Sequence, residues 1–346
     1  MANTELSVQY GRSHTQARYH FSNHVTAILG PNGSGKTTLL EAIHIALRGT
    51  SFRGSDSEFL QRGADWWRVD LRRPNDVRSV TYQPNLPARK KRFIINNATH
   101  YRLPLAKKYP VVVFVPDDLR VLHGSPARRR AFIDTIIAQS NPSYPPLLRR
   151  YERALKQRNN LLKQPPTTYD DVFIWDVALA EYGAAIAHAR AHQLAQMNTA
   201  LGPTYRSIAG RDDDVTIHYD APAHTSKQAL MNQLHAQFTR DKLLGYTTIG
   251  PHRHDMACDF NGAPARAVAS RGEVRSIILA LKFIEVDTAT QATGQPPVIL
   301  LDDVFAELDE SRQQRLAEKC QHGQMFITST TGYGALAAEA VIQLAD

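Results

Sequence analysis

The sequence predicts an α/β fold in which a head of strands and helices is interrupted by a second, mainly helical lobe. Three observations carry this expectation. Near the N-terminus a short apolar run, Val25-Thr26-Ala27-Ile28-Leu29, passes through a glycine-rich turn into a segment with Leu39, Leu40, Ile43, Ala46 and Leu47 at helical spacing. Near the C-terminus Val298-Ile299-Leu300-Leu301 is a second apolar run, closed by the carboxylates Asp302 and Asp303. Between them, residues 126–163 and 171–200 are rich in Ala, Leu, Arg and Gln at helical spacing. The head is expected over 1–115 and 240–346, and the inserted lobe over 116–239.

The turn after the first run reads Gly30-Pro31-Asn32-Gly33-Ser34-Gly35-Lys36-Thr37 and fits the phosphate-binding pattern G-x-x-x-x-G-K-[ST] at every fixed position. Glycines let successive backbone N–H groups point inward without a Cβ in the way, which makes a nest for phosphate oxygens. A helix starting near Lys36 aims its positive end at the same anion. The Lys36 ammonium can reach the β- and γ-phosphates of ATP, and the Thr37 hydroxyl is placed for Mg²⁺. Residues 30–37 and Thr38 are therefore the candidate nucleotide contacts. A bare glycine-rich turn is the alternative, but strand, loop and helix all stand in the right order.

Around this turn the rest of the head takes shape. Residues 1–29 read as two or three short strands. Gly49-Thr50-Ser51-Phe52-Arg53-Gly54 is a turn-rich stretch after the loop helix. Val69, Leu71, Val80, Tyr82, Phe93, Ile94 and Ile95 mark short strand-like pieces. Arg89-Lys90-Lys91-Arg92 falls between two of them, at a hairpin tip, where a solvated loop competes with a nucleic-acid contact. Val111-Val112-Val113-Phe114-Val115 is a buried strand ended by Pro116. Pro142, Pro145 and Pro146 punctuate the first helical stretch, and Pro165-Pro166 separates the two. Strand character returns at 215–219, and residues 245–346 are expected to complete the head.

The second apolar run brings the acids that a phosphate loop lacks. Asp302 is expected to hold Mg²⁺, directly or through water, and Asp303 to polarise the attacking water. One or two carboxylates suffice, since Mg²⁺ keeps several waters. Ala306-Glu307-Leu308-Asp309 follows, with acids suited to a subunit interface or to helix capping. Upstream, Ser270-Arg271-Gly272-Glu273 precedes a helix with Val274, Ile277, Ile278, Leu281 and Ile284 on one face. Ser270 and Glu273 have the spacing of a capping box. A Ser and a Gly at an exposed helix start also form an anion-binding surface.

With 346 residues the chain can bury a full core and hold two lobes. Its net charge of +8 points towards a polyanionic partner, although charge alone is a weak argument for nucleic acid. Cys258 and Cys320 are far apart and lack metal-type spacing, which suits a reduced cytoplasmic protein. Residues 1–20 are polar without a signal core, and no apolar run reaches the roughly 18 residues of a membrane span. No membrane partner is expected.

The order of phosphate loop, long insertion, Ser-x-Gly helix start and Asp-Asp is that of ATPases with an ABC-type signature. Several segments narrow it further. Leu39-Leu40-Glu41-Ala42-Ile43 after the loop, Ser51-Phe52-Arg53, and Phe114-Val115-Pro116-Asp117-Asp118-Leu119 belong to this set. So do Gly124-Ser125-Pro126, Arg128-Arg129-Arg130-Ala131-Phe132-Ile133-Asp134, Gly250-Pro251-His252-Arg253-His254-Asp255 and Leu301-Asp302-Asp303-Val304-Phe305-Ala306-Glu307-Leu308-Asp309. Over essentially the whole chain the sequence resembles the RecF family of bacterial recombinational-repair ATPases. It departs from the family pattern in three places. Glu273 and Val274 stand where the signature often carries glutamines. No Gln follows residues 111–115, where Asp117 or Asp118 stands instead. The polar switch maps to Phe326-Ile327-Thr328-Ser329-Thr330, with no single hydroxyl singled out.

The resemblance implies an ABC-type ATPase head that dimerises when ATP is bound. ATP would be sandwiched by Lys36, Thr37, Asp302 and Asp303 of one subunit and by Ser270 and Gly272 of the other, so that Lys36, Asp303 and Ser270 are the candidate catalytic residues. It further implies binding of double-stranded, gapped or junction DNA and action with RecR and RecO to direct RecA loading. Arg128, Arg129, Arg130, Arg149 and Arg150 are the cations offered to DNA. Three other readings compete. A chromosome-organising ATPase would need a long coiled-coil arm, and residues 38–269 hold no sustained heptad pattern. A transporter subunit would need a membrane partner, and a nuclease-coupled ATPase an appended catalytic domain.

Overall fold

The computed structural model describes residues 4–164, 166–304, 308–319, 323–330 and 338–345. Ala306, Glu307 and Cys320, singled out above, lie outside them. The chain opens with strands β1 (Thr4–Gly11), β2 (His14–Phe21) and β3 (Val25–Leu29), followed by helix α1 (Lys36–Arg48). Helix α2 (Asp56–Phe59) precedes β4 (Trp67–Arg73), β5 (Asp76–Tyr82), β6 (Lys91–Ile95), β7 (Ala98–His100) and β8 (Val111–Phe114). The middle of the chain carries α3 (Pro126–Ser140), α4 (Tyr144–Leu162), α5 (Tyr169–Ala209), β9 (Val215–Asp220), α6 (Lys227–Ala236) and α7 (Phe238–Leu244). Then come β10 (Asp255–Phe260), β11 (Ala263–Pro264), α8 (Ala265–Val268) and α9 (Arg271–Thr293). The last segment holds β12 (Val298–Leu301), α10 (Glu310–Lys319), β13 (Met325–Ser329) and β14 (Ala340–Gln343).

Two compact units result: Met1–Asp118 with Glu285–Asp346, and Leu119–Ile284. The sequence reading groups residues 240–284 with the head, whereas their contacts assign them to the second unit. The physical reason is pairing. β10 runs antiparallel to β9 from Asp255↔Asp220 to Phe260↔Val215, and the Arg129 guanidinium of α3 grips the Asp255 carboxylate.

The first unit contains two sheets. One is parallel, in the order β14-β3-β13-β12-β8, so the strand before the phosphate loop is separated from the acid-bearing strand by β13 alone. The other is antiparallel, in the order β2-β1-β4-β5-β6-β7. Helix α1 packs against strands of both, which is why nearly every position of it is apolar or buried: Leu39, Leu40, Ala42, Ile43, Ile45 and Leu47 are fully shielded. Each of these leucines and isoleucines contributes about 1.5–3 kcal/mol of burial. Gly49 at φ 85 ends the helix, its N–H capping Ile45 O.

In the second unit α5 is the backbone of the core and packs against α3, α4, α6 and β9. It runs on past the expected stretch, through Pro203, and stops at Gly210 in the left-handed conformation. By length and composition α5 could cross a membrane. The sequence reading finds no such span because its apolar character is spread over alanines rather than gathered in one run. The helix instead buries polar partners. Arg158 of α4, wholly buried, bridges Asp176 of α5 and Asp241 of α7, and Arg190 of α5 forks onto Asp134 of α3.

Candidate nucleotide-binding site

The phosphate loop leaves the end of β3 and enters α1 at Lys36. Gly33 and Gly35 sit at φ +92 and +93, which only glycine adopts without strain. At Gly35 a Cβ would lie 2.3 Å from His14 Nε2 and 2.7 Å from Ser13 Oγ, so the β1–β2 turn presses against the loop from behind. His14 Nε2 is 3.2 Å from Gly35 O, which can only accept, so this contact places a proton on Nε2, and burial lowers the His14 pKa. The Lys36 ammonium donates to Gly30 O at 2.8 Å and Pro31 O at 2.9 Å and is thereby folded over the loop. Pro31, Asn32 and Gly33 are exposed at the mouth, and Thr38 is buried beneath it. Ser34 Oγ is buried without a hydrogen-bond partner among the described residues.

The structure brings the acids of β12 to this loop. Thr37 Oγ1 donates to Asp302 Oδ1 at 2.6 Å. Burial raises the Asp302 pKa, opposed by the Thr37 hydrogen bond and, more weakly, by the charge of Arg53. Thr328 Oγ1 on β13 is 3.2 Å from the same Oδ1 and accepts the Asp303 N–H at 2.9 Å. Asp303 stands at φ +53, and its Oδ1 is buried without a partner among the described residues.

A brace that sequence reasoning missed lies behind the loop. Glu41, fully buried on α1, accepts both Arg12 Nε at 2.6 Å and Arg12 Nη2 at 3.0 Å, and also the Ser51 hydroxyl. Ser51 Oγ in turn accepts the backbone N–H groups of Arg53 and Gly54. The brace therefore ties the β1–β2 turn, the loop helix and the Arg53 turn together. The signal was present as a Glu on the buried face of a helix, where an unpaired charge is costly.

Ser270 and Gly272 belong to the second unit, at the start of α9. The expected capping box forms: Ser270 N–H donates to Glu273 Oε2 at 2.7 Å and Glu273 N–H to Ser270 Oγ at 3.4 Å, with Ser270 exposed. Glu273 also takes Arg211 Nη1 at 3.3 Å. The candidate DNA-facing arginines split. Arg149 and Arg150 are exposed, whereas Arg129 is buried on Asp255 and Arg130 Nη1 donates to His254 O at 2.8 Å. Lys91 likewise leaves the expected hairpin tip, standing in β6 with its ammonium on Asp56 and Gly49 O. His252 and His254 are turned onto Tyr151 and Tyr219, and burial pushes both down to about 4. Asp118 Oδ2 accepts the Val115 N–H at the end of β8.

The donor set suits a nucleotide with Mg²⁺. A hydroxyl and a carboxylate oxygen lie side by side, as a hard cation that keeps its waters requires, and two buried polar atoms, Ser34 Oγ and Asp303 Oδ1, lack partners.

The chain is similar to several known proteins. Residues 5–102 match the family model described as an AAA domain. The DNA replication and repair protein RecF of Ruminiclostridium cellulolyticum is 34% identical over 344 residues, covering 94% of this chain and 91% of its own. RecF of Protochlamydia amoebophila is 33% identical over 335 residues, covering 94% and 93%. Among solved structures, that of the recombination mediator protein RecF-ATPrS in the RecFOR pathway superposes with a TM-score of 0.86 at 28% identity, covering 99% of this chain and 96% of that one. A SMC head bound to the C-winged helix domain of ScpA superposes with a TM-score of 0.56 at 16% identity, a likeness of ABC-type ATPase fold alone.

Proposed function

The chain belongs to the RecF family of DNA replication and repair proteins, and from that premise we propose that it is an ATP-gated DNA-binding protein of recombinational repair. The observation that carries this reading is the contact between Thr37 and Asp302, which joins the phosphate loop to an acidic strand end in the manner a Mg²⁺-nucleotide site needs. When bound, the metal ion supplies a Lewis acid that withdraws charge from the β- and γ-phosphate oxygens. Thr37 and Asp302 would hold it, and Lys36 would turn its ammonium from the loop carbonyls to the γ-phosphate. Asp303 orients the attacking water and accepts its proton.

The second half of the site comes from another copy of the chain. Ser270 and Gly272, at an exposed helix start, offer a hydroxyl and backbone N–H groups to a γ-phosphate held by the partner. Closure also excludes bulk water, which strengthens each electrostatic contact. ATP therefore favours the dimer, and the dimer favours DNA, with reciprocal coupling. Exposed cations such as Arg149 and Arg150 meet the phosphate backbone. In the cytoplasm such a clamp, on double-stranded DNA beside a gap or junction, would act with RecO and RecR to promote RecA loading during homologous recombination and the SOS response.

Fluorescence anisotropy of a gapped duplex, with and without ATP and Mg²⁺ at one fixed salt concentration, tests the reading. Tighter binding with ATP supports the clamp. Equal or absent binding in both conditions points instead to an ABC-type ATPase whose partner is a protein.

A further inference from the structure

Thr328 is fully buried in β13, yet it carries a hydroxyl where valine would fill the same space in a buried strand. Three polar groups from the end of β12 surround that hydroxyl. Oγ1 accepts the Asp303 N–H at 2.9 Å, and its single proton faces both Leu301 O at 3.3 Å and Asp302 Oδ1 at 3.2 Å. Asp303 is at φ +53, a left-handed conformation that Asp adopts more readily than most residues but that is still uncommon for a side chain other than glycine. The Asp303 carboxylate Oδ1 is buried and unpaired among the described residues.

We propose that Thr328 is the positioning residue for the acid pair: its hydroxyl anchors the left-handed backbone of Asp303 and ties it to Asp302, so that the Asp303 carboxylate is held ready for the attacking water. The proposal rests on the ATPase reading above and deepens it. It also singles out one hydroxyl from the polar stretch 326–330. Thr328 turns towards the carboxylates within the head, and so acts on the nucleotide only through them. A hydroxyl that merely fills the core would leave turnover untouched on removal; one that sets the base lowers turnover without weakening ATP binding.

The test compares full-length wild type, Thr328→Val and Thr328→Ser. Two quantities are read: amide exchange of the segment carrying Asp303 in nucleotide-free protein, by mass spectrometry, and kcat and KM for ATP. The expected result for Thr328→Val is about tenfold faster exchange at Asp303, with kcat lowered at least tenfold and KM within about twofold. Thr328→Ser, which keeps the hydroxyl, stays within about threefold of wild type on every measure. If Thr328→Val does not fold, Thr328→Ala replaces it, since it removes the hydroxyl without adding bulk. Unchanged exchange and kcat in the hydroxyl-free variant overturn the proposal, as does Thr328→Ser proving equally damaged. A wild-type protein that does not hydrolyse ATP would defeat the ATPase reading, and the exchange measurement would still decide whether Thr328 holds Asp303.

Discussion

The Thr37 hydroxyl donates a 2.6 Å hydrogen bond to Asp302 Oδ1, joining residues 265 positions apart in the chain. Burial raises the Asp302 pKa, so the native state favours the protonated acid more than the unfolded chain does. The sign follows. Its stabilising contribution is complete below the ordinary carboxylate range and is lost as pH rises through the raised value. At neutral pH without metal the charge is a cost. Asp302→Asn is expected to raise the melting temperature of nucleotide-free protein at pH 7.5. The same change is expected to abolish the extra stabilisation that Mg²⁺ gives over ATP alone. Thermal melts with ATP, with and without Mg²⁺, check both halves.

Among the described residues the Lys36 ammonium donates to the loop carbonyls Gly30 O and Pro31 O, which leaves one of its three protons for a phosphate oxygen. Lys36→Ala is expected to weaken ATP binding by about 100-fold or more and to abolish ATP-dependent dimerisation. Light scattering with saturating ATP reads this, and an unchanged dimer fraction would sink the sandwich model.

What the sequence made legible was whatever is written locally. Residues 30–37 carry their own backbone geometry in their glycines, Val298–Leu301 followed by two acids announces a strand end, and Ser270 with Glu273 three positions later declares a capping box. What stayed hidden depends on a partner distant in sequence. In the sequence Arg129 is indistinguishable from a surface cation, and only the fold puts Asp255 on it; Lys91 meets Asp56 in the same way. Thr328 looked no different from Ser329 beside it. Only the parallel register of β12 and β13 puts its hydroxyl over both acids. The assignment of 240–284 was hidden for the same reason, because nothing in β10 itself says that it pairs with β9.

Glu41 joins Arg12 to the Ser51 turn by accepting from both. Glu41→Ala leaves the guanidinium partly buried and unpaired and frees the Arg53 turn. It is expected to cost about 2–3 kcal/mol of stability, moderated by the partial exposure of Arg12. Glu41→Gln, which can still accept from both partners, is expected to lose about half as much. Chemical denaturation with unchanged slope measures the difference.

The arginines offered to DNA separate by what they already hold. Arg149→Glu with Arg150→Glu is expected to weaken binding of gapped DNA and to reduce the slope of log affinity against log salt by about 1 per lost phosphate contact. Melting temperature should not change. Arg129→Ala should do the reverse, lowering stability by about 2–4 kcal/mol through the orphaned Asp255, while the salt slope stays as it was. Anisotropy titrations at several salt concentrations, beside thermal melts, read both.

Asp303→Asn isolates the chemical step from the fold around it. Asn tolerates the left-handed backbone that Asp303 occupies, and its N–H can still reach Thr328 Oγ1, so the acid pair's scaffold should survive. What is lost is the negative charge that orients water and accepts a proton. ATP hydrolysis is expected to fall by about 100-fold or more while ATP affinity is retained, because Lys36, Thr37 and Asp302 are untouched. On the proposed cycle, in which hydrolysis opens the dimer, the variant should accumulate closed dimer with ATP, and its DNA complex should outlast the wild-type one after ATP is diluted away. Single-turnover hydrolysis and light scattering on the same sample decide it. Rapid turnover in the variant would show that another group orients the water, and a variant that neither turns over nor dimerises would show that Asp303 is needed to bind rather than to react.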